Sequence, residues 1–529
     1  MLFNSYIFLF VFLPVTMLGF SWTQQRAGLE SSIIWLVAAS LFYYGWWNPI
    51  YLVLIVFSML FNFRIGRAIA TPPERKKAMR KAFLAAGITC NLALLGYFKY
   101  ANFFVDNLNA ALGSSVSLHA IVLPLAISFF TFQQIAYLVD VFRGTVREYR
   151  FSHYALFVTF FPQLIAGPIV HHAEMMPQFK QGKALRPRLR NFAVGLTFII
   201  LGLLKKSVLA DGIAAYSSPV FAAAHFGANV SFFEAWGGAL AYTFQLYFDF
   251  SGYTDMAIGG ARLFGIRLPV NFFSPYKATS IIEFWRRWHI TLSRFLRDYL
   301  YIPLGGNRKG KVRRYANLMI TMILGGLWHG AGWTFVLWGT LHGIYLVANH
   351  GWHRLCDRMQ WTAFRRSRAW RGIAWATTFL AVVVGWVFFR ADSMNSALNL
   401  LKGMAGLNGV ALPNAVIARL GPHAHSLLQK IGIGTYLGGG TTFVLTYLWV
   451  ACLLAIALFA PNTVQIMKAY RPTVTRFLNP EAYGVEPFSA LVGRMLWRPT
   501  LLWGAVLALL AAAGILSLSN ISEFLYFQF

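Results

Sequence analysis

The chain has 529 residues, of which 57% are hydrophobic and only 12% are charged. Soluble globular domains carry about 25% charged residues, so this composition excludes an ordinary soluble enzyme. The formal net charge is +29, but the Lys and Arg residues concentrate in a few loops between apolar runs, which argues against a nucleic-acid partner and for a membrane protein.

Apolar runs recur along the whole chain, and each is about 20 residues long, enough to cross the hydrocarbon of a bilayer as a helix. The alternating pattern of a membrane β-barrel is absent. The sequence therefore predicts an all-α, multi-pass membrane protein. When the basic loops are placed in the cytoplasm, about ten full spans fit, centred near residues 11, 40, 57, 91, 130, 200, 246, 381, 451 and 509.

One apolar piece that does not fit this alternation covers residues 154–170 and reads YALFVTFFPQLIAGPIV. Basic loops flank it on both sides, and it contains Pro162, Gly167 and Pro168. It predicts a re-entrant or broken helix, which a membrane protein tolerates only where protein or a cavity buries it.

A second exception, residues 317–349, also has basic loops on both sides and predicts a helical hairpin that enters the membrane and returns. Gly330 and Gly332 permit the tight reversal. From Asn317 to His329 a helix rises about 18 Å, which places His329 close to the hairpin tip and near the middle of the membrane.

Ionisable groups inside hydrocarbon are costly and tend to mark function. Burial disfavours imidazolium, so His329 is expected as a neutral ring that can accept a proton, the state a general base needs. The alternative is a structural histidine hydrogen-bonded between helices. The same two interpretations apply to His342, halfway down the return helix.

An amphipathic helix is predicted from Ser280, where the sequence reads SIIEFWRRWHITLSRFLRDYL. Its apolar stripe follows helical spacing and comprises Ile281, Trp285, Trp288, Leu292, Phe295 and Tyr299. The opposite face is basic and comprises Arg286, Arg287, Arg294 and Arg297. Such a helix is expected to lie along the cytoplasmic interface.

This amphipathic helix has two possible roles. Its arginines, with Trp285 and Trp288, could bind a phosphate-bearing cofactor that arrives from the cytoplasm. The alternative is an anchor on anionic lipid. His289 flanks the apolar stripe and is expected to point inward, which favours a role in the active site.

Two carboxylates, Asp249 and Asp255, lie in the apolar stretch QLYFDFSGYTDMAIGG. Buried carboxylates need partners, and the arginines of the amphipathic helix are the nearest candidates in sequence. A structural ion pair and a catalytic role are both compatible with this pattern.

Several motifs of other enzymes are absent. There is no G-x-S-x-G nucleophile motif, and HHAEMM lacks the order and spacing of a zinc protease. No metal site is expected. If the protein transfers acyl groups, direct transfer assisted by histidine is the simpler interpretation, because no serine or cysteine nucleophile is evident.

At these residues the chain resembles the membrane-bound O-acyltransferase family, on the branch that contains the alginate O-acetylation membrane protein and the D-alanyl transfer protein of lipoteichoic acid. The resemblance covers roughly residues 1–395. The motifs that carry it are GYFKYANF, PLAISFFTFQQIAYLVDVFRG, FPQLIAGPIV, LYFDFSGYTDMAIG, EFWRRWHITLSRFLRDYLYIPLGGNR and LGGLWHGAGWTFVLWGTLHG.

The resemblance implies that His329 and His289 are the two active-site histidines and flank a tunnel from a cytoplasmic donor pocket to an outward-facing funnel. His329 would assist attack by the acceptor hydroxyl, and His289 would polarise the thioester carbonyl or orient the donor. Acetyl-CoA is the implied donor. The implied partners are a periplasmic serine-esterase-like acetyltransferase subunit and the exopolysaccharide assembly machinery, at a bacterial inner membrane.

The expected organisation is an acyltransferase core over 1–395, a periplasmic loop over 396–442 and C-terminal membrane helices over 443–529 that pack on the core. The leading function is transfer of an acetyl group across the membrane for O-acetylation of an exopolysaccharide such as alginate. The alternatives are D-alanyl transfer to teichoic acid, a transporter, and a scaffold of a secretion complex without catalysis.

Overall fold

The computed structural model describes residues 1–70, 77–118, 121–146, 150–180, 188–474 and 495–519, together with Gly493 and Leu525. Parts of two basic loops used for the predicted orientation, at 71–76 and 181–187, lie outside these residues. So does much of the predicted C-terminal region, 475–492 and most of the tail after Ser519.

Helices dominate the described chain. The N-terminal part forms α1 (Leu13–Gly45), α2 (Ile50–Ala70), α3 (Lys77–Leu95), α4 (Ala101–Leu112), α5 (Ile127–Arg143), α6 (Phe151–Thr159), α7 (Phe161–Leu164) and α8 (His172–Lys180). A π-helical turn, Phe8–Phe12, precedes α1, and another, Gly96–Tyr100, joins α3 to α4.

The central part forms α9 (Leu189–Leu203), α10 (Asp211–His225), α11 (Phe232–Leu263), α12 (Ile281–Arg287), α13 (Ile290–Leu296), α14 (Gly310–His329), α15 (Trp333–Arg358), α16 (Thr362–Arg366) and α17 (Arg368–Arg390). The π-helical segment Leu204–Ala210 joins α9 to α10, and Arg297–Tyr301 follows α13. Pro275–Lys277 is a short 3₁₀ helix.

The C-terminal part forms α18 (Met394–Met404), α19 (Asn414–Leu420), α20 (Pro422–Lys430), α21 (Gly440–Phe459), α22 (Thr463–Ile466) and α23 (Leu501–Leu516). Two three-residue strands, β1 (Ala411–Pro413) and β2 (Gly434–Tyr436), pair in parallel. Helices and strands thus fill much of the segment predicted as the loop 396–442, and its periplasmic location stays a prediction.

The predicted all-α multi-pass architecture is confirmed. Among the described residues, six helical runs are long and apolar enough to cross a membrane: Phe8–Gly45, Ile50–Ala70, Lys77–Leu112, Leu189–His225, Arg368–Arg390 and Gly440–Phe459. Each of the predicted span centres falls within a helix. The number of membrane crossings stays a prediction.

Helix α1 reverses direction at Gly28, whose φ of 82° is outside the helical range and favours glycine. The indole N–H of Trp35 donates to the carbonyl of Thr16 at 2.9 Å, which shows that the two halves run side by side. The predicted spans centred near residues 11 and 40 are therefore the two arms of one helical hairpin.

Helix α11 lies at the centre of the bundle and is almost completely buried from Ala235 to Leu263. It packs closely on α9 and on the π-helical segment that follows α9. At this contact a Cβ on Gly252 would lie 2.7 Å from the carbonyl oxygen of Gly202, so the two backbones meet where neither residue has a side chain.

The predicted broken helix is confirmed. Helix α6 ends at Thr159, Phe160 has non-helical dihedral angles of −47° and 109°, and α7 adds only one turn. Every residue from His153 to Val170 is buried. The irregular backbone is thus covered by protein, as a non-helical segment at membrane depth requires.

The predicted hairpin is also confirmed. Helix α14 ends at His329 and α15 begins at Trp333. The two arms approach so closely that a Cβ on Gly326 would overlap the carbonyl of Phe335, and one on Gly339 would overlap that of Met322. The hairpin is therefore held by backbone-to-backbone contact along its length.

The single amphipathic helix predicted from Ser280 is wrong. The segment forms two short helices, α12 and α13, and the chain breaks at Trp288 and His289. His289 has a left-handed backbone, with φ of 40°. Helical periodicity continues across the break, which is why the sequence pattern did not reveal it.

We expect Gly252→Ala to lower the free energy of unfolding by about 1–3 kcal/mol, because the added methyl group would meet the backbone of the π-helical segment. Thermal unfolding of the detergent-solubilised protein measures the change. Gly351→Ala in α15 is the matched control, since a Cβ there meets nothing within 4 Å. Equal stability of the two variants would contradict the close contact.

Candidate active site

His329 is the last residue of α14 and is only 5% exposed. Its ring packs against Trp338 and Phe389, each at 5.1 Å between ring centroids. Gly330 and Gly332 follow at once, and a Cβ on Gly330 would overlap the ring of Phe335. The hairpin tip thus fixes His329 at the end of a helix inside the protein.

The carbonyls at the end of α14 are bound by a charged side chain. Lys99 donates from Nζ to the carbonyls of Trp328 and His329, at 2.6 and 2.9 Å, and Tyr100 donates to the carbonyl of Leu327 at 2.8 Å. Terminal carbonyls have no partner within the helix, and a cation there also complements the helix dipole. Lys99 therefore stabilises the backbone that carries His329.

Sequence reasoning missed Lys99. The signal was present, because Lys99 is an ionisable residue within the apolar run GYFKYANF, but this run was interpreted only as a family motif. An intramembrane lysine predicts a partner, but a backbone carbonyl more than 200 residues away cannot be identified from one sequence.

His289 is held by Asn271. The ring Nδ1 lies 3.0 Å from Asn271 Oδ1, and the same oxygen accepts hydrogen bonds from the Thr291 hydroxyl at 2.8 Å and from the Thr291 N–H at 3.3 Å. An oxygen that accepts from a backbone N–H requires that Nδ1 carries the proton. The neutral ring of His289 thus has Nε2 as its unprotonated nitrogen.

The break between α12 and α13 brings the two histidines together. The ring centroids of His289 and His329 are 6.4 Å apart, and the Trp328 ring packs against both. Phe250 of α11 packs on His289 at 4.9 Å. The structure thus places two buried imidazoles in one aromatic environment, within reach of a small group held between them.

A cavity of about 270 Å³ adjoins His329. Lys99 and Trp328 contribute to its wall, together with Trp47, which follows α1, and residues 123–129, which lead into α5. These segments belong to the end of the bundle opposite the basic loops. The cavity therefore lies between His329 and that end.

The arginines predicted to bind a donor are placed differently from one another. Arg287 is buried and pairs with Glu283 at 2.9 Å, and Arg294 forms two hydrogen bonds with Glu174, at 2.6 and 2.8 Å. Arg286 is exposed. The structure does not assemble them into one open basic surface, because carboxylates offset two of the three charges.

The predicted partners of Asp249 and Asp255 are wrong. Asp249 pairs with Lys206 at 2.6 Å, and Asp255 pairs with Lys205 at 2.6 Å and accepts from the Thr463 hydroxyl at 2.6 Å. The lysines come from the π-helical segment after α9, which packs on α11. Proximity in sequence pointed to the arginines, whereas the packing of two long helices brings the lysines closer.

The remaining tryptophans lie among buried rings. Trp288 is buried and stacks on Phe284 at 5.7 Å. Trp285 instead contacts His342, which is fully buried on α15. Among the described residues, no group of three or more His, Cys, Asp or Glu side chains is placed to hold a metal ion.

The protein is a multi-pass helical membrane protein in which one of two neighbouring buried histidines, His329, lines a cavity, an arrangement compatible with a membrane-embedded transferase. The sequence pattern that defines the membrane-bound O-acyltransferase family matches residues 88–389, more than half of the chain. The chain therefore belongs to the membrane-bound O-acyltransferase family, and it is an enzyme that transfers an acyl group from an acyl donor.

Three proteins of known name are similar to this chain in sequence. The peptidoglycan O-acetyltransferase of Helicobacter pylori is 47% identical over 78% of this chain and 81% of that protein. The probable alginate O-acetylase AlgI of Pseudomonas aeruginosa is 38% identical over the full length of both. The teichoic acid D-alanyltransferase of Streptococcus thermophilus is 31% identical over 44% of this chain and 57% of that protein.

We expect Asn271→Ala to lower the rate of acyl transfer at least about tenfold, because it removes the acceptor that fixes the tautomer and orientation of His289. Donor turnover by the purified, folded protein measures the loss. Thr291→Val removes two neighbouring hydrogen bonds, one to Asn271 and one from the Ile169 N–H, but leaves the His289 contact, so its loss is expected to be smaller. A full rate in Asn271→Ala would contradict the positioning role.

We expect Lys205→Met to destabilise the fold by about 3 kcal/mol, because it leaves the Asp255 carboxylate buried without its cation. Replacing both residues, in Lys205→Met with Asp255→Leu, is expected to restore most of the stability. Thermal unfolding of the single and double variants measures both effects. A double variant that is even less stable than Lys205→Met would contradict the pairing of Lys205 with Asp255.

Proposed function

We propose that this protein takes an acetyl group from a cytoplasmic thioester donor, acetyl-CoA, and passes it across the inner membrane for O-acetylation of a polysaccharide such as alginate. The observation that supports this most is the buried pair His289 and His329, 6.4 Å apart, with a cavity beside His329. The names of the two relatives that cover most or all of this chain, an O-acetyltransferase and a probable alginate O-acetylase, favour polysaccharide acetylation.

The chemistry requires one proton transfer. The acceptor hydroxyl attacks the thioester carbonyl, the carbon–sulfur bond breaks, an oxygen ester forms, and the hydroxyl proton ends on the released thiol. His329 lines the cavity that lies toward the end of the bundle opposite the basic loops. It is proposed to take the proton from the acceptor hydroxyl and to give it to the thiolate that leaves.

His289 has a different proposed role. Polarising the thioester carbonyl would need a proton on Nε2, whereas the Asn271 contact places the proton on Nδ1. We therefore favour the role of orienting the substrates, with Nε2 accepting a hydrogen bond from an N–H or O–H group.

The direction of transfer rests on the distribution of charge. The loops rich in Lys and Arg are assigned to the cytoplasm by the positive-inside rule, and the cavity at His329 lies toward the opposite end. No serine nucleophile motif occurs in the chain, so a periplasmic serine-esterase-like subunit is proposed to complete transfer to the polysaccharide as part of its assembly machinery.

D-alanyl transfer to teichoic acid is the second candidate. The similarity to the Streptococcus thermophilus D-alanyltransferase favours it, but that similarity covers less than half of this chain. Competition between acetyl-CoA and a D-alanyl carrier protein as donors would distinguish the two reactions.

We expect His329→Ala to abolish the release of radiolabelled acetyl from acetyl-CoA by protein in liposomes, because it removes the proposed base. His289→Ala is expected to lower the rate about a hundredfold. The assay includes the periplasmic partner, and each variant is checked for folding and membrane insertion. His350→Ala, near the C-terminal end of α15 and bonded to Arg314, is the control. Equal turnover in all variants would contradict the catalytic assignment.

A further inference from the structure

Four arginines converge at the end of the bundle that carries the basic loops, and we call them the arginine cluster. Arg190 comes from the first turn of α9, Arg262 from the last turn of α11, Arg267 from the loop after α11, and Arg471 from the chain after α22. None of them belongs to the candidate active site. Segments that are distant in sequence thus bring positive charge to one place.

The packing of α9 on α11 brings the first two arginines together. A Cβ on Gly195 of α9 would lie 2.8 Å from the carbonyl oxygen of Gly259 of α11, so the two backbones are in contact there. Arg190 and Arg262 lie about one helical turn beyond this contact, on the same side of it. The ends of both helices therefore present their arginines next to each other.

The chain after α22 reaches the same place. The guanidinium of Arg190 lies over the ring of Tyr470 at 5.8 Å and 3.5 Å from its carbonyl oxygen. The N–H of Val474 donates to the carbonyl of Leu268 at 3.1 Å, so the chain that carries Arg471 runs beside the loop after α11.

The base of the arginine cluster is a buried guanidinium without compensation. Arg262 is only 3% exposed, and its Nε has no hydrogen-bond partner among the described residues. In the same part of the chain no carboxylate pairs with Arg262, Arg267 or Arg471. Burial lowers the pKa of Arg267, and the positive charges of Arg190 and Arg471 lower it further. Since a buried charge needs a partner of opposite sign, the cluster favours the binding of an anion.

The surface beside the arginine cluster is apolar. Helix α9 belongs to a run that is long and apolar enough to cross a membrane, and it exposes Leu189, Phe192 and Leu196 at helical spacing, by 85%, 45% and 42%. The positive-inside rule places the loop before α9 in the cytoplasm. This apolar stripe therefore runs from the level of the arginines into the cytoplasmic leaflet. An anion with acyl chains matches both the charge and the stripe, whereas a soluble anion matches only the charge.

We propose that the arginine cluster binds the phosphate group of an anionic lipid from the cytoplasmic leaflet, with the acyl chains along Leu189, Phe192 and Leu196. Guanidinium groups donate paired N–H bonds to phosphate oxygens, and basic pockets between membrane helices suit anionic head groups. The lipid neutralises Arg262 and links α9, α11 and the chain after α22. This inference is independent of the proposed function.

The test follows thermal unfolding of the delipidated protein in detergent. Phosphatidylglycerol in mixed micelles is expected to raise the Tm of the wild type by about 3 °C, because a ligand stabilises the folded state that binds it. Phosphatidylcholine, inorganic phosphate and pyrophosphate are expected to have no effect. An equal rise with phosphatidylcholine would overturn the site, and an equal rise with either soluble phosphate would overturn the lipid as its occupant.

Two variants test the arginines themselves. Arg262→Met and Arg267→Gln are each expected to lose most of the rise that phosphatidylglycerol causes, and a full rise in both would contradict the site. Without lipid, Arg262→Met is expected to be at least as stable as the wild type, because it removes a buried charge that has no partner. A clearly lower Tm of this variant without lipid would show that Arg262 is satisfied within the protein and would overturn the proposal.

Arg313→Gln is the matched control. Arg313 is exposed in the first turn of α14, in another basic region, and its replacement removes the same charge. This variant is expected to keep the full rise with phosphatidylglycerol. A loss equal to that of Arg267→Gln would show that only the net charge matters and would overturn the proposal. Because the measurement needs no acyl transfer, failure of the proposed function would leave its outcome unaffected.

Discussion

The position of the candidate base depends on how a helix can end inside a membrane protein. The last carbonyls of α14 need hydrogen-bond donors, and hydrocarbon supplies none. Lys99 and Tyr100 supply them from the junction of α3 and α4. Because Lys99 binds the carbonyls of Trp328 and His329 directly, the hydrogen-bonding groups of the helix end are satisfied and its position is fixed. The histidine pair, the cavity and the aromatic rings that pack on His329 are arranged around this helix end.

Features that follow from a lipid environment or from a local reversal of the chain could be predicted from the sequence. The multi-pass architecture follows from the apolar runs, the break before α7 from two prolines in an apolar piece, and the hairpin from glycines between two basic loops. The break at His289 could not be predicted, because apolar and basic residues keep helical spacing on both sides of it. The reversal at Gly28 was not predicted, because two separate spans were expected and the polar residues between them do not single out one glycine.

The residues of the candidate site could likewise be predicted only in part. His329 and His289 could be identified because ionisable groups in apolar surroundings stand out. Asn271 and Lys99 could not, since their importance comes from contacts with residues distant in sequence. The lysine partners of Asp249 and Asp255 were missed for a related reason: helix packing brings together residues about 40 to 50 positions apart, on faces that periodicity alone does not pair.

The close contact between α14 and α15 has a consequence for how the protein enters the membrane during synthesis. Among the described residues, neither of these helices is apolar enough to count as a candidate span by itself, although both are long enough. A single arm would also expose the glycine-lined face that its partner covers. The two arms therefore have to leave the insertion machinery as a folded pair, so that the backbone contact forms before lipid can surround either helix. A co-translational delay between residues 330 and 358 would favour misinsertion of this hairpin over that of the more apolar helices.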